Sequence, residues 1–441
     1  LVTLDLNENK LKGTLPDLSQ LSQLVKLNLW GNQLEGTLPN LLPLSKLVTL
    51  DLGNNYQLSG PLPDLSQFPL LETAVLWNNK FTGPIPALPD SLLFLGLSGN
   101  QLSGAMPQRL PPKLQGFWVG DNPLQPGPIP ELHDNLEEFR AENCQLTGTI
   151  PELPANLRDF GVERNQLTGQ IPKLPANLES FDAGYNQLTG TIPELPANLR
   201  GFYANDNQLT GTIPTLPASL GQIWVENNFL TGPIPAFPST LDSFDVAGNF
   251  LTGLPPAPNS SLYSASMCPN RLDGPSTPGA PDWTAVTFYT PSTKWTDDCA
   301  PTTSATVTVD NTAEGGSIAC PTSVPYAGGS CTVTPDAGYA FAKELVFDPV
   351  DAAAVEACTD TGCTILVKGG VTVKAVFTKA PDPTPTPDPD PAPTPNPTPA
   401  PYHDDSSPTM GELGLLLSGL ALAGAAAPAL RRRERKGRKQ D

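Results

Sequence analysis

Carboxylates are the one group in this sequence abundant enough to suggest bond-breaking chemistry. The 441 residues include 44 Asp and Glu against 25 Lys and Arg, with only 2 His. Glycoside hydrolysis needs a particular pair of acids flanking one bond. Here Asp5, Asp51, Asp121, Glu138, Glu142, Asp159, Glu163, Asp182, Asp206, Glu226 and Asp245 are spread along the chain with no singular pair. Neither histidine supplies a base. His133 stands where related segments have proline, which reads as a surface substitution, and His403 sits beside Asp404 and Asp405 in a proline-rich tract too flexible to hold a metal. No C-x-x-C, phosphate loop or nucleophile elbow is present. The expectation is a protein with no catalytic site, cofactor or metal.

The elements that would position these acids are set by an internal repeat. On the pattern L-x-x-L-x-L-x-x-N-x-L-x-G-x-I/L-P, the ninth position falls at Asn9, Asn32, Asn55, Asn79, Asn100, Asn122, Cys144, Asn165, Asn186, Asn207, Asn228, Asn249 and Asn270. The spacings are 23, 23, 24, 21, 22 and 22, then 21 six times. Such a period predicts a solenoid of about 13 stacked turns, each too small to bury its own apolar face. L-x-x-L-x-L is expected as a short parallel strand with its leucines inward. The Asn side chain satisfies backbone groups where the chain turns away. Cys144 then reads as a buried structural thiol in that ladder. Core volume is conserved along the repeats: Leu27/Leu29 and Leu50/Leu52 give way to Phe139/Ala141, Phe160/Val162, Phe181/Ala183, Phe202/Ala204 and Phe244/Val246. The return segments, such as Pro151 to Leu157, carry two prolines each, which precludes α-helix and favours extended backbone.

Residues at the third, fifth, seventh and eighth repeat positions point to the opposite, concave face. Trp30, Trp77, Trp118 and Trp224 fall at the fifth or seventh position, Tyr203 at the fifth and Tyr185 at the eighth. These aromatics, with Glu142, Glu163, Asp182 and Glu226 between them, are the candidate ligand-binding residues. Aromatic anchors on a rigid sheet suit protein hot spots or sugar stacking, so the expected partner is a protein or a carbohydrate.

L-x-G-x-I-P resembles the plant-specific class of leucine-rich repeats, and L-P-A-N-L is similar to the L-P-x-x-L repeats of bacterial effectors. The resemblance covers residues 1–275 and implies a parallel-β leucine-rich-repeat solenoid with few helices. Residues 276–302, with Trp283, Trp295 and Cys299, read as a C-terminal cap. Residues 303–379 change to Val/Thr alternation, which predicts strands. Gly315-Gly-Ser-Ile-Ala-Cys320, Gly338-Tyr-Ala-Phe341 and Val371-Thr-Val-Lys-Ala-Val-Phe377 resemble an internalin-type B repeat of bacterial surface proteins. This copy has Lys343-Glu344 where Gly-Trp is usual. The resemblance implies a small all-β or β-grasp-like domain. Six cysteines allow fifteen pairings; proximity selects Cys268–Cys299, Cys320–Cys331 and Cys358–Cys363, leaving Cys144 free.

Residues 380–406 place proline at every odd position from Pro381 to Pro401, an extended stalk. Residues 407–441 then combine Pro408-Thr409-Met410 and Glu412, an uncharged stretch over residues 413–430, and Arg431-Arg-Arg433. The order resembles the IPTL-CTERM sorting signal of Gram-negative bacteria, with Met410 for Leu, Ser407 for Ile and Leu413 for Trp. It implies a membrane segment and a membrane-bound C-terminal processing enzyme. The chain starts inside a repeat, which reads as a fragment that has lost a secretory signal and a capping element. Net charge is -19, and -24 without the basic last eleven residues; a body this acidic repels nucleic acid and anionic lipid. The combined expectation is a surface-displayed binding or adhesion protein of a Gram-negative envelope. The alternatives are a plant-type receptor-like protein with one membrane span and, lacking a site, an envelope hydrolase.

Overall fold

The structure, a computed structural model, describes residues 1–289, 293–299, 304–324, 328–349 and 352–379. The stalk, the sorting motif Pro408, Thr409, Met410 and Glu412, the apolar segment 413–430, the basic tail and His403 lie outside these residues. Among the described residues no helix is long and apolar enough to cross a membrane.

The repeats form a leucine-rich-repeat solenoid whose front is one parallel sheet of 14 strands, running from Thr3–Asp5 to Thr287–Phe288 in chain order. Every strand pairs in register with the next copy, so equivalent positions line up in columns: Phe139, Phe160, Phe181, Phe202 and Ile223 oppose one another in turn. Their rings stack inside, with centroids 5.7 Å apart for Phe160–Phe181 and 5.4 Å for Phe181–Phe202. Ala141, Val162, Ala183 and Ala204, fully buried beside them, leave the volume those rings need.

Residues 276–302 do more than cover the last repeat. Thr287–Phe288 pairs with Ser264–Ser266 and adds a fourteenth strand beyond the 13 repeats of the sequence pattern. A parallel sheet end leaves unpaired backbone groups, and the cap satisfies them by continuing the ladder. Cys268–Cys299 bonds it to the last repeat, and Trp283 and Trp295 are buried against the solenoid core.

From Asn32 onward the asparagines of the ninth position tie together neighbouring turns, whereas Asn9 bonds to Leu6 O and Asn7 O of its own turn. Asn207 Nδ2 donates to Ala183 O at 2.9 Å, Asn205 O at 3.1 Å and Ala204 O at 3.3 Å, while its Oδ1 accepts the Leu188 N–H at 2.9 Å. Cys144 occupies one rung, fully buried, with its Sγ 3.2 Å from Val119 O. Burial pushes this thiol up to about 12, so it stays protonated.

The back of the solenoid is partly stranded. L-x-G segments form parallel sheets of five, four and three strands, such as Gln166–Gln170 beside Gln187–Thr191. The first break falls where Asn122-Pro-Leu-Gln-Pro-Gly127 replaces the usual Asn-Gln-Leu-Thr-Gly, because proline cannot donate to the ladder. The glycine of the motif is required sterically. Gly169 sits at φ +77°, and a Cβ there would lie 2.9 Å from Thr149 Cγ2 of the preceding turn. The proline-bearing return segments are irregular, with a short 3-10 turn at Leu65–Gln67. A second ladder, drawn from L-P-A-N-L, runs along them: Asn156 Nδ2 donates to Asp134 O at 2.8 Å and Asn177 to Ala155 O at 3.0 Å.

Residues 304–379 form two four-stranded sheets around one core. One contains Ser323–Val324, Ala305–Val309, Val371–Lys379 and Tyr339–Asp348; the other contains Gly316–Ala319, Gly329–Pro335, Gly362–Val367 and Ala353–Thr359. No helix occurs among its described residues, so the domain takes the all-β form and not the β-grasp one, whose sheet needs a helix to cover it. Here the second sheet covers the first. Cys320–Cys331 and Cys358–Cys363 are bonded, and Cys144 is free.

This domain rests on the flank of the solenoid. At the position where Gln145, Gln166, Gln187 and Gln208 follow the ladder residue, the next repeats carry Phe229 and Phe250. Both are buried in a cluster with Ala354 and Leu366 of the domain. Lys368 Nζ lies 4.7 Å from the Phe229 ring and Arg271 Cζ 4.7 Å from that of Phe250.

Candidate functional site

The concave face carries every candidate of the sequence pattern, and the structure divides them into two aromatic groups with acids between. The first group spans the early turns. Trp77 and Trp118 stack with centroids 5.5 Å apart, and Phe94 meets both edge-on at 6.1 and 5.4 Å. The rings lie over glycines: a Cβ on Gly96 would fall 2.5 Å from Trp77, and one on Gly116 2.5 Å from Phe94. Gly53 gives the same clearance to Trp77 and Trp30 together, at 2.8 and 3.0 Å, so Trp30 joins the row. A strand offers this space only where the side chain is absent, which is why glycines recur at outward positions here.

These tryptophans are half-buried and not free-standing anchors. Trp118 Nε1 donates to Glu138 Oε2 at 2.9 Å, and the Arg140 guanidinium lies 5.0 Å over its ring. Arg140 also donates from Nε to Asp159 Oδ1 at 3.1 Å and from its terminal nitrogen to Asp159 Oδ2. Sequence reasoning missed Phe94 and Arg140. Both stand at outward strand positions, so the signal was there, but it was read for tryptophan, tyrosine and acids alone.

The acids follow. Glu142 fits a slot between Gly120 and Gly161, and burial raises its carboxyl above the usual range. Burial pushes Asp182 to about 7, reinforced by Glu163, Glu142 and Asp159 nearby, while its bond from the Gly184 N–H at 3.2 Å opposes the shift. Burial likewise pushes Glu226 to about 8, helped by Asp245 and Asp206, and Asp245 to about 6. Arg140 partly offsets the loss of water at Glu142, whereas Asp182, Glu226 and Asp245 have other carboxylates as charged neighbours.

The second aromatic group lies in register with those acids. Asp182 opposes Tyr203, Tyr203 opposes Trp224, and Trp224 opposes Asp245 across successive strands. Tyr203 and Trp224 meet edge-to-face at 5.1 Å. Tyr203 donates its hydroxyl proton to Gln222 Oε1 at 2.6 Å, and Trp224 Nε1 donates to Ser243 Oγ at 3.1 Å. Ser243 Oγ is 2.6 Å from the Tyr289 hydroxyl, which brings the cap onto this face, a contribution the repeat pattern did not announce. Tyr185, 44 % exposed, stands at the margin with the Arg164 guanidinium 4.9 Å over its ring.

His133, half-buried and not a plain surface residue, places Nε2 2.8 Å from Pro111 O on the return side of the solenoid. Among the described residues no group of three or more His, Cys, Asp or Glu is placed to hold a metal ion.

Comparison with known proteins agrees with this architecture. Residues 23–44, 135–157 and 177–199 match the family model described as Leucine Rich Repeat. No curated protein sequence matches the chain. Among solved structures, the chain is similar to the leucine-rich-repeat ectodomain of the Arabidopsis receptor kinase HAESA in complex with an N-terminally extended IDA peptide hormone (28 % identity over 62 % of this chain and 55 % of that one, TM-score 0.54). It is similar at 28 % identity and TM-score 0.50 to a TDR receptor, over 62 % of this chain and 56 % of that one. The plant peptide hormone receptor RGFR1 in complex with RGF2 has the same identity, coverage and TM-score. The chain spans little more than half the length of these receptor structures.

Proposed function

We propose that this protein is a non-enzymatic recognition protein that binds an extended peptide or protein segment along the concave face of its solenoid, displayed at the surface of a Gram-negative bacterium. The observation that carries the reading is the run of aromatic rings and desolvated carboxylates along one rigid sheet, reaching from Trp30 to Tyr289. Each strand is held by two neighbours, so the face needs little ordering on association. A row of contacts spaced by roughly 4.8 Å suits an elongated ligand better than a compact one. Receptor ectodomains of similar architecture are seen with peptide hormones bound, which supports a peptide or protein partner over a glycan. Display rests on the sequence of residues 407–441: the P-T-M-x-E motif, the apolar stretch 413–430 and the arginine cluster. A processing enzyme in the membrane is the partner that reading adds.

The test is a protein and glycan array probed with the purified chain and with Trp118→Ala/Trp224→Ala. The expected result is capture of protein targets by the parent and a loss of roughly thirtyfold in affinity for the variant, as for truncated anchors worth about 2 kcal/mol. Selective capture of glycans, or unchanged capture by a folded variant, overturns the reading. The likeness to plant receptors favours a second reading, a plant-type receptor-like protein. Expression in a Gram-negative host separates the two: deletion of residues 407–441 releases the protein to the medium only if that tail anchors it there.

A further inference from the structure

Between the eighth and eleventh turns the concave face is hollowed. The depression has a volume of about 270 Å3, and Asp182, Tyr185, Tyr203, Trp224 and Glu226 form its walls with Glu163 and Arg164 at the margin. That is smaller than the roughly 300 Å3 at which pockets begin to enclose a drug-sized ligand, and suits one side chain. Its chemistry is one-sided. Arg164 pairs with Glu163 at 3.4 Å and covers Tyr185, so the cation present is already engaged at the edge. Asp182 and Glu226 have no cationic partner among the described residues. Glu226 Oε2 is shielded from solvent and accepts no hydrogen bond. A buried polar oxygen without a partner is costly; that unpaired oxygen of Glu226 and the desolvated Asp182, lining one depression with Tyr203 and Trp224, match a guest that is positive and partly apolar.

We propose that this depression seats one cationic side chain, lysine or arginine, of a peptide or protein segment lying across the concave face. The assignment rests on the reading that this face binds such a partner, and it names the residue type that partner presents. The stem of the side chain would lie against Tyr203 and Trp224, and its charged head would be held between Asp182 and Glu226. The raised carboxyl groups described above fit this role, since a bound cation supplies the countercharge that their acidic neighbours do not, Glu163, Glu142 and Asp159 for Asp182 and Asp245 and Asp206 for Glu226.

The experiment titrates the full chain with acetyl-Gly-Lys-Gly-amide, its arginine and norleucine counterparts, and choline, in about 0.15 M salt, where the overall charge of the protein is screened beyond about 8 Å. The lysine and arginine peptides are expected to saturate and the norleucine peptide not to. Asp182→Asn with Glu226→Gln, which keeps shape and removes charge, is expected to weaken binding by at least about tenfold. Glu152→Gln with Glu194→Gln removes the same charge from exposed sites on the return segments and is expected to change affinity less than about twofold. Tyr185→Ala, altering an exposed ring, is a second variant that leaves the buried contacts intact and is expected to loosen both cationic peptides. Equal binding of norleucine, an equal loss in the charge-matched control, saturation by choline alone, or saturation by no probe overturns the proposal. The array result stands apart from these: capture of protein targets that survives Asp182→Asn/Glu226→Gln removes the cation seat and leaves the recognition reading standing.

Discussion

At the scale of single residues, the concave acids make stability depend on pH with an unusual sign. Surface carboxylates stabilise by being ionised, whereas Asp182, Glu226 and Asp245 are held at about 7, 8 and 6 by burial among other carboxylates. Their unfolded values are near about 4. Between those limits the folded chain binds more protons than the unfolded one, so the slope of stability with pH is negative. The contribution is fully present below about pH 4 and lost as pH rises through 6 to 8. The groups facing Asp182 are Glu142, Asp159, Glu163 and Arg164; those facing Glu226 are Asp206 and Asp245. Thermal melting is expected to fall steadily from pH 5 to pH 8.5 and to fall less in Asp182→Asn/Glu226→Gln. A melting curve that rises over that range, or a variant with the parent's slope, contradicts this account.

At the scale of one turn, the ninth-position asparagine is the strut between neighbours. Asn207→Ala removes donors to Ala183, Ala204 and Asn205 and the acceptor for Leu188, all in the interior. Leaving several buried backbone groups unpaired costs about 1–3 kcal/mol for each group that water cannot reach. The expected loss is about 3 kcal/mol or more, seen as a lower denaturant midpoint. Ser219→Ala on the outer return ladder is expected to cost about 1 kcal/mol or less, because its single hydroxyl proton is shared between Ala197 O and the part-buried Leu199 O at a site water can reach. Equal effects from the two would show that the ladders are interchangeable. The period of the asparagines was plain in the sequence. That each side chain spans more than one turn was not, because the pattern records where residues recur and not how far they reach.

At the scale of the molecule, the β domain is fastened to the solenoid by two phenylalanines. Burying Phe229 and Phe250 contributes about 2 kcal/mol each. Phe229→Gln with Phe250→Gln restores the residue found at Gln187 and Gln208, so the solenoid should stay folded while the contact with Ala354 and Leu366 is lost. Small-angle scattering is expected to show a larger radius of gyration with unchanged circular dichroism. A radius equal to that of the parent would place the cohesion elsewhere, such as at Arg271 and Lys368.

Much of this molecule is local in its logic, and that part could be read from the sequence alone. A repeat of about 21 residues sets each strand against its own copy, so inward leucines, outward aromatics, the volume exchange at Phe181/Ala183 and the amide ladder follow from position within one unit. The paired prolines of the return segments excluded helix in the same way. What tertiary structure decided were sums over neighbours. Whether a ring on the face lies flat depends on a glycine one turn away, as with Trp77 over Gly96. How far a buried carboxyl is pushed up depends also on the charge of acids two turns off, as Asp182 feels Glu142. The fourteenth strand and the seam at Phe229 join segments outside the repeat, with no period to announce them. Periodicity reports which residues are equivalent; only the folded chain reports which of those equivalent residues have lost their water, because desolvation depends on every neighbour at once.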